Sequence, residues 1–189
     1  MLPENGLEGE FFLSLFEMDK QLAAKVKAQG CACGGRLHIA NYPRKPRGLP
    51  PEVEDLYTTR FSLCCDREGC RKRYTPESVR FLGRRVYVGA LVVFVSALRY
   101  FVTQAKDTSD KGPQVPRRTI GRWQDFWQSA FIASEFWHRE RANFMPPLDE
   151  GRLPVSALER FSGDFLQRLK STLFWLAPIS TQSRLMKVR

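Results

Sequence analysis

The amino-acid sequence predicts a mostly α protein with a small inserted β module, a helical bundle plus a four-cysteine zinc ribbon. Three observations lead there. All five cysteines fall between positions 31 and 70, in two groups about thirty residues apart. Four other segments, 8–29, 86–104, 116–141 and 154–176, carry apolar residues at helical spacing. Between the cysteine groups, two short extended stretches flank a loop with four prolines, through which no helix can run. At 189 residues and 43% hydrophobic, the chain can bury one good core or two small ones, and it is too apolar for a disordered protein.

The elements follow in order. Residues 1–30 are expected to form an N-terminal helix that docks on the bundle. Phe11, Leu15, Met18, Leu22 and Val26 form one stripe of it, Glu17, Lys20, Lys25 and Lys27 lie between, and Gly30 is a fitting stop. Residues 31–85 make the ribbon, with extended stretches at 36–42 and 57–64 around the proline- and charge-rich loop 43–55. Thr75-Pro76-Glu77-Ser78 reads as a helix start, with Thr75 as N-cap, for a short helix over 76–83. Residues 86–180 form the bundle, with a helix-turn-helix-like segment inside it. Segment 86–104 is apolar almost all round and marks a central buried helix, and 107–114 is a polar loop. A long helix over 116–141 carries Ile120, Trp123, Phe126, Trp127, Phe131, Phe136 and Trp137 and ends at Pro146-Pro147. A last helix spans 154–176, and 181–189 is a basic tail.

The cysteine pattern specifies chemistry. Zinc takes four ligands in a tetrahedron, and two tight turns commonly supply a pair each. Cys31-Ala-Cys33 with Gly34-Gly35 gives one turn, and Cys65 to Cys70 with Gly69 gives the other. Cys31, Cys33, Cys65 and Cys70 are the expected ligands of one Zn2+. Cys64 and His38 stand as alternatives for one position. The metal answers a physical need, because this segment has too few large apolar residues to fold by itself. An odd number of cysteines, and acids at 1–10 where a secretory signal needs bases, point to a reduced, cytoplasmic setting. The longest apolar run, 86–98, is thirteen residues against the roughly twenty that a membrane span requires, so no membrane partner is expected.

The net charge is +10, and its density peaks at 31–85, with twelve bases against six acids. A basic surface attracts polyanions through counterion release, which makes DNA the first partner to consider. Two basic sets stand out: Arg44, Lys45, Arg47, Arg71, Lys72 and Arg73 in the ribbon, and Arg117, Arg118 and Arg122 at the start of a helix. No phosphate-binding loop, dinucleotide fingerprint or nucleophile elbow occurs, and four thiolates leave a metal no open position, so the chain is not expected to be an enzyme.

The segment from Cys31 to Arg80, with Cys65-Asp-Arg-Glu-Gly-Cys70 followed by Arg73-Tyr74-Thr75 and Glu77-Ser78-Val79, resembles the zinc fingers of phage late-gene activators of the Ogr/Delta type. It is also similar to the zinc ribbons that begin many bacterial transposases. The likeness covers about fifty residues and implies a small module that contacts DNA or a polymerase. Residues 116–127, containing Arg-Arg-Thr-Ile-Gly-Arg-Trp, resemble the recognition helix of helix-turn-helix proteins in bacterial insertion elements. Together the likenesses imply a zinc-dependent DNA-binding accessory or regulator of a bacterial mobile element. The alternative is a zinc-ribbon adaptor that docks a transposase or polymerase.

Overall fold

The computed structural model describes residues 7–83, 85–104 and 115–181, with the side chains of 101–104 excepted. Helix α1 runs Gly9–Gln29, and Gly30, at φ +70°, stops it by turning its N–H onto the Lys27 carbonyl. Phe11, Phe12 and Leu15 are buried, and Met18, Leu22 and Val26 half-buried, so the predicted stripe is the docked face.

The chain then builds two small antiparallel sheets. Strands β1 (Leu37–Ile39), β4 (Leu63–Cys65) and β5 (Arg73–Tyr74) form one, in the order β1-β4-β5. Strands β2 (Tyr42–Pro43) and β3 (Thr59–Arg60) form the other. Between β2 and β3 the proline loop closes on a 3-10 turn at Pro51–Val53 and a single helical turn, α2 (Glu54–Tyr57). That turn delivers Val53 and Tyr57 into the main core, which keeps the loop ordered.

Helix α3 (Gly89–Gln104) is the central element and packs on α4 (Arg117–Asp125) and α7 (Phe165–Leu176). Its buried Ser96 hydroxyl accepts the Trp127 indole N–H at 3.1 Å, which satisfies both polar groups inside the core. One large cluster joins α1, the loop, residues 79–82 and the bundle. A second, much smaller one holds Leu37, Leu63, Cys31 and Cys65. The ribbon therefore has almost no apolar core of its own, as its composition implies.

Three predicted helices differ. Residues 116–141 are not one helix. Helix α4 passes into a π-helical turn at Phe126–Phe131, and a new helix, α5 (Glu135–Glu140), begins at Ser134, whose hydroxyl accepts the Trp137 N–H at 3.0 Å. Residues 154–176 split into α6 (Val155–Leu158) and α7, because Gly163 at φ +102° and the Asp164–Gln167 capping box stop the chain and restart it. Segment 76–83 forms no helix at all.

Asp19 is the cause of that last difference. It lies on the stripe one turn after Leu15, fully buried, and its carboxylate collects the passing chain. Oδ1 accepts the Val79 N–H at 2.7 Å, while Oδ2 accepts the Ser78 hydroxyl at 2.6 Å and Arg80 Nε at 2.7 Å. The Ser78 hydroxyl in turn accepts the N–H groups of Arg80 and Phe81, each at 3.2 Å. These amides are served by side chains and not by carbonyls four residues back, so no helix forms. The Arg80 guanidinium continues to the carbonyls of Leu56 and Thr59 and lies among the rings of Phe16, Tyr57, Phe61 and Phe81. Tyr57 closes the node by donating its hydroxyl to the Phe12 carbonyl at 2.8 Å.

The expected loop 107–114 and residues 182–189 of the expected tail lie outside the described residues. Among the described residues no helix is long and apolar enough to cross a membrane, and the run at 86–98 is largely interior.

Candidate metal centre and basic surfaces

Two turns bring the four predicted cysteines together. In the first, the Gly34 N–H donates to the Cys31 carbonyl and the Cys31 N–H to the Gly35 carbonyl, with Gly34 at φ +82°. In the second, the Arg67 N–H points at Cys65 Sγ, 3.4 Å away, and the Cys70 N–H donates to the Arg67 carbonyl. Pairing of Leu37 with Cys65 in β1 and β4 sets the two turns side by side.

Sulfur–sulfur separations are 3.4 Å for Cys31–Cys33, 3.5 Å for Cys33–Cys65 and 3.7 Å for Cys31–Cys70. All four sulfurs lie within 4.8 Å of one another. A tetrahedron with metal–sulfur bonds of about 2.3 Å has edges of about 3.8 Å, so the cluster has the dimensions of a four-thiolate site. Cys31 and Cys65 are buried and the other two half-buried, so the site is closed by its own ligands.

The alternatives turn elsewhere. Cys64, next to Cys65 on the same strand, faces the opposite side and approaches the Arg71 carbonyl at 3.5 Å. His38 pairs with Cys64 on that side, and its Nε2 lies 3.7 Å from Asp66 Oδ2.

The thiols differ electrostatically. The Cys33 backbone N–H, and then the Tyr74 hydroxyl 3.3 Å away, lower Cys31 to about 6. Cys33 is lowered too, chiefly by the Gly35 backbone N–H. Removal from water pushes Cys65 up to about 12. A bound cation reverses that last shift, since a coordinating thiol is deprotonated outright. Tyr74 and the third strand β5 that carries it were not foreseen from sequence. The only signal was an aromatic residue four positions after the last cysteine.

Gly35 is required by close approach. A Cβ there would lie 2.6 Å from Cys65 Sγ and 2.9 Å from Asp66 Oδ1. Gly35→Ala is therefore expected to weaken metal binding at least tenfold while leaving the helical core intact. Competition with a chromophoric chelator measures the first and thermal melting the second. Unchanged metal affinity would contradict this reading of the turn.

The basic residues divide by environment. Arg71, Lys72 and Arg73 are exposed along the turn into β5, with Arg71 at φ +43°. Lys45 and Arg47 are exposed on the proline loop, whereas the Arg44 guanidinium turns inward to the carbonyls of Gly83 and Arg85 and lies 5.2 Å from the Phe81 ring. Arg117, Arg118 and Arg122 are exposed on α4, which begins at Arg117, one residue after the expected start at 116. None of these nine forms an ion pair with a described residue. The structure also joins the last two sets. Arg47 pairs through its backbone with Tyr87, and the Tyr87 ring meets Trp123 of α4 edge-on at 5.2 Å. Nothing in the sequence hints at this packing.

Helices α3 and α4 do pack together, but residues 105–116 separate them, against the three or four of a helix-turn-helix turn. Comparisons of the chain with family models, with curated proteins and with solved structures gave no match.

Proposed function

We propose that this protein is a zinc-dependent DNA-binding module and not an enzyme. The observation that carries the proposal is the position of Arg71-Lys72-Arg73. Three consecutive cationic side chains stand exposed on the turn that immediately follows the metal ligand Cys70, with no carboxylate partner among the described residues. Phosphate oxygens are suitable partners for unpaired cations of this kind, and releasing counterions from DNA supplies the driving force. Cys31, Cys33, Cys65 and Cys70 would hold the Zn2+, whose part is to fix the turns that present these residues. Lys45 and Arg47, joined to Arg117, Arg118 and Arg122 through Tyr87 and Trp123, make a second basic surface on the bundle. Arg44 is left out of it, since its guanidinium is engaged with the chain.

The two surfaces predict different effects. Changing Arg71, Lys72 and Arg73 to alanine should weaken every duplex alike. The slope of log affinity against log salt should flatten by about 0.9 for each phosphate that is no longer neutralised. Arg118→Ala or Arg122→Ala should lower preference for a selected site, by roughly 1–3 kcal/mol per bidentate base pairing, more than general affinity. Fluorescence anisotropy with random and selected duplexes at several salt concentrations measures both. Failure of the zinc-loaded protein to bind any duplex at low salt would overturn the proposal.

A further inference from the structure

Strand β1 is an edge. The order β1-β4-β5 leaves one of its sides without a partner strand among the described residues. Register tells which backbone groups face that side. The Ala40 N–H donates to the Ser62 carbonyl and the Asp66 N–H to the Arg36 carbonyl, so residues 36, 38 and 40 point their amides and carbonyls at β4. Leu37 and Ile39 point theirs the opposite way. Among the described residues no side chain or backbone group outside the strand pair bonds to the N–H of either one.

A groove adjoins this edge. It has a volume of about 350 Å³ and lies between α1 and the ribbon, floored by Phe16, Ala23, Ile39, Phe61 and Leu63. Ile39 is 68% exposed and continuous with the apolar floor of the groove, so its side chain extends that apolar surface out to the strand edge. Lys20, already paired with Glu17 at 3.0 Å, and Lys27, which has no ion-pair partner among the described residues, stand on the groove's rim, and no carboxylate is among its described lining residues. Lys27 and Arg36 also line the neighbouring recess at the other end of β1, again with no acid.

We infer that the β1 edge and this groove form a docking site for an extended acidic–aliphatic segment of a partner protein, added as an antiparallel or parallel strand beside Leu37–Ile39. The backbone groups of Leu37 and Ile39 would bond to the added strand. Its alternate side chains would fall on the same face as Ile39 and enter the groove, which selects aliphatic residues. The residues flanking them would be Asp or Glu, paired with Arg36, which alternation puts on their face, and with Lys27, which lines the recess beside it. A basic segment would meet like charge on the rim and an uncovered apolar floor. The site is separate from the proposed DNA surface, because Arg71-Lys72-Arg73 lead into β5, the opposite edge of the same sheet.

The test uses the full-length zinc-loaded protein and three synthetic heptapeptides: Asp-Leu-Glu-Val-Asp-Leu-Glu, the same peptide N-methylated at alternate amides, and a version with lysine at every acidic position. Affinity is read by fluorescence anisotropy, and the binding surface by amide chemical shifts of the labelled protein. The acidic peptide is expected to bind and to shift the amides of Leu37 and Ile39. N-methylation in the bonding register should weaken it at least tenfold, as should Ile39→Pro, which removes an outward N–H without touching a β1–β4 bond. Lys27→Glu should weaken it about fivefold, and the lysine peptide should not bind the wild-type protein. Absence of binding overturns the inference. Equal binding of the N-methylated peptide, or shifts confined to lysine-bearing residues, also overturns it, by showing charge attraction alone. Duplex DNA affinity should be the same with and without saturating peptide, so the two proposals fail separately.

Discussion

Asp19→Ala is expected to cost roughly 3–5 kcal/mol, a large part of the stability of a domain this size. The substitution leaves the Arg80 guanidinium wholly buried with no carboxylate, and strips partners from the Ser78 hydroxyl and the Val79 N–H. Both members of the ion pair are fully out of water, so solvent cannot replace the carboxylate. The melting temperature should fall by roughly 6–20 °C. Combining Asp19→Ala with Arg80→Met should cost less than the sum of the single changes, because replacing a whole buried pair by apolar groups can be nearly neutral. Denaturant titration of the four proteins gives the cycle. A loss below about 1 kcal/mol for Asp19→Ala would mean that the node does not hold α1 to residues 78–80.

Cys65→Ser and Cys70→Ser are expected to abolish stoichiometric metal binding, while Cys64→Ser keeps it. The reason is geometric: the Cys64 sulfur faces away from the four-sulfur cluster. Zinc in structural sites of this type contributes about 10–16 kcal/mol of apparent binding energy at neutral pH, and most of it goes into folding. With only Leu37, Leu63 and their few neighbours as a core, the metal-free ribbon should lose hydrogen-exchange protection across β1, β4 and β5. The bundle, with its separate core, should retain its protection. Chelation should reproduce the pattern. Full protection of β1 and β4 in metal-free protein would refute the metal's role.

Loading should also depend on pH. Cys31, at about 6, is already a thiolate at neutral pH, whereas Cys65, at about 12, still holds its proton in the metal-free protein. Binding must expel that proton, so metal uptake should acidify a weak buffer, and affinity should fall as pH drops and protons compete for the sulfurs.

Much of the metal centre is legible in the sequence. Cysteine spacing and the glycines after Cys33 and before Cys70 are local facts, and the four sulfurs fall close enough together to hold a metal ion. Cys65 and Cys64 are harder to tell apart. Two adjacent cysteines differ only in which face of β4 each one occupies, and pairing with β1 sets that face. Helix α1 and the start of α4 are legible for a similar reason, since an apolar stripe and a proline at the helix boundary are sequence-local signals.

The helices that differ from expectation divide in two. Ser134 and Gly163-Asp164 are ordinary stop-and-start signals, present in the sequence and outweighed by the aromatic and leucine periodicity around them. Segment 76–83 is different. Thr75-Pro76-Glu77-Ser78 is a sound helix start by every local rule, and it fails because the Asp19 carboxylate, some sixty positions earlier, holds the Val79 N–H and the Ser78 hydroxyl, and that hydroxyl takes the N–H groups of Arg80 and Phe81.

By itself, then, the sequence determined which four cysteines cluster, the extent of α1, the start of α4 and the excess of positive charge. Each of these rests on residues a few positions apart, or on composition alone. Only the tertiary structure decided which cysteine of the adjacent pair faces the four-sulfur cluster and that Asp19 and Arg80 meet inside the core. It also decided that Arg47 reaches α4 through Tyr87 and that β1 keeps one edge open. Each of those joins, or leaves unjoined, residues far apart in the chain, and that is set by how the elements pack and by no local property of either residue.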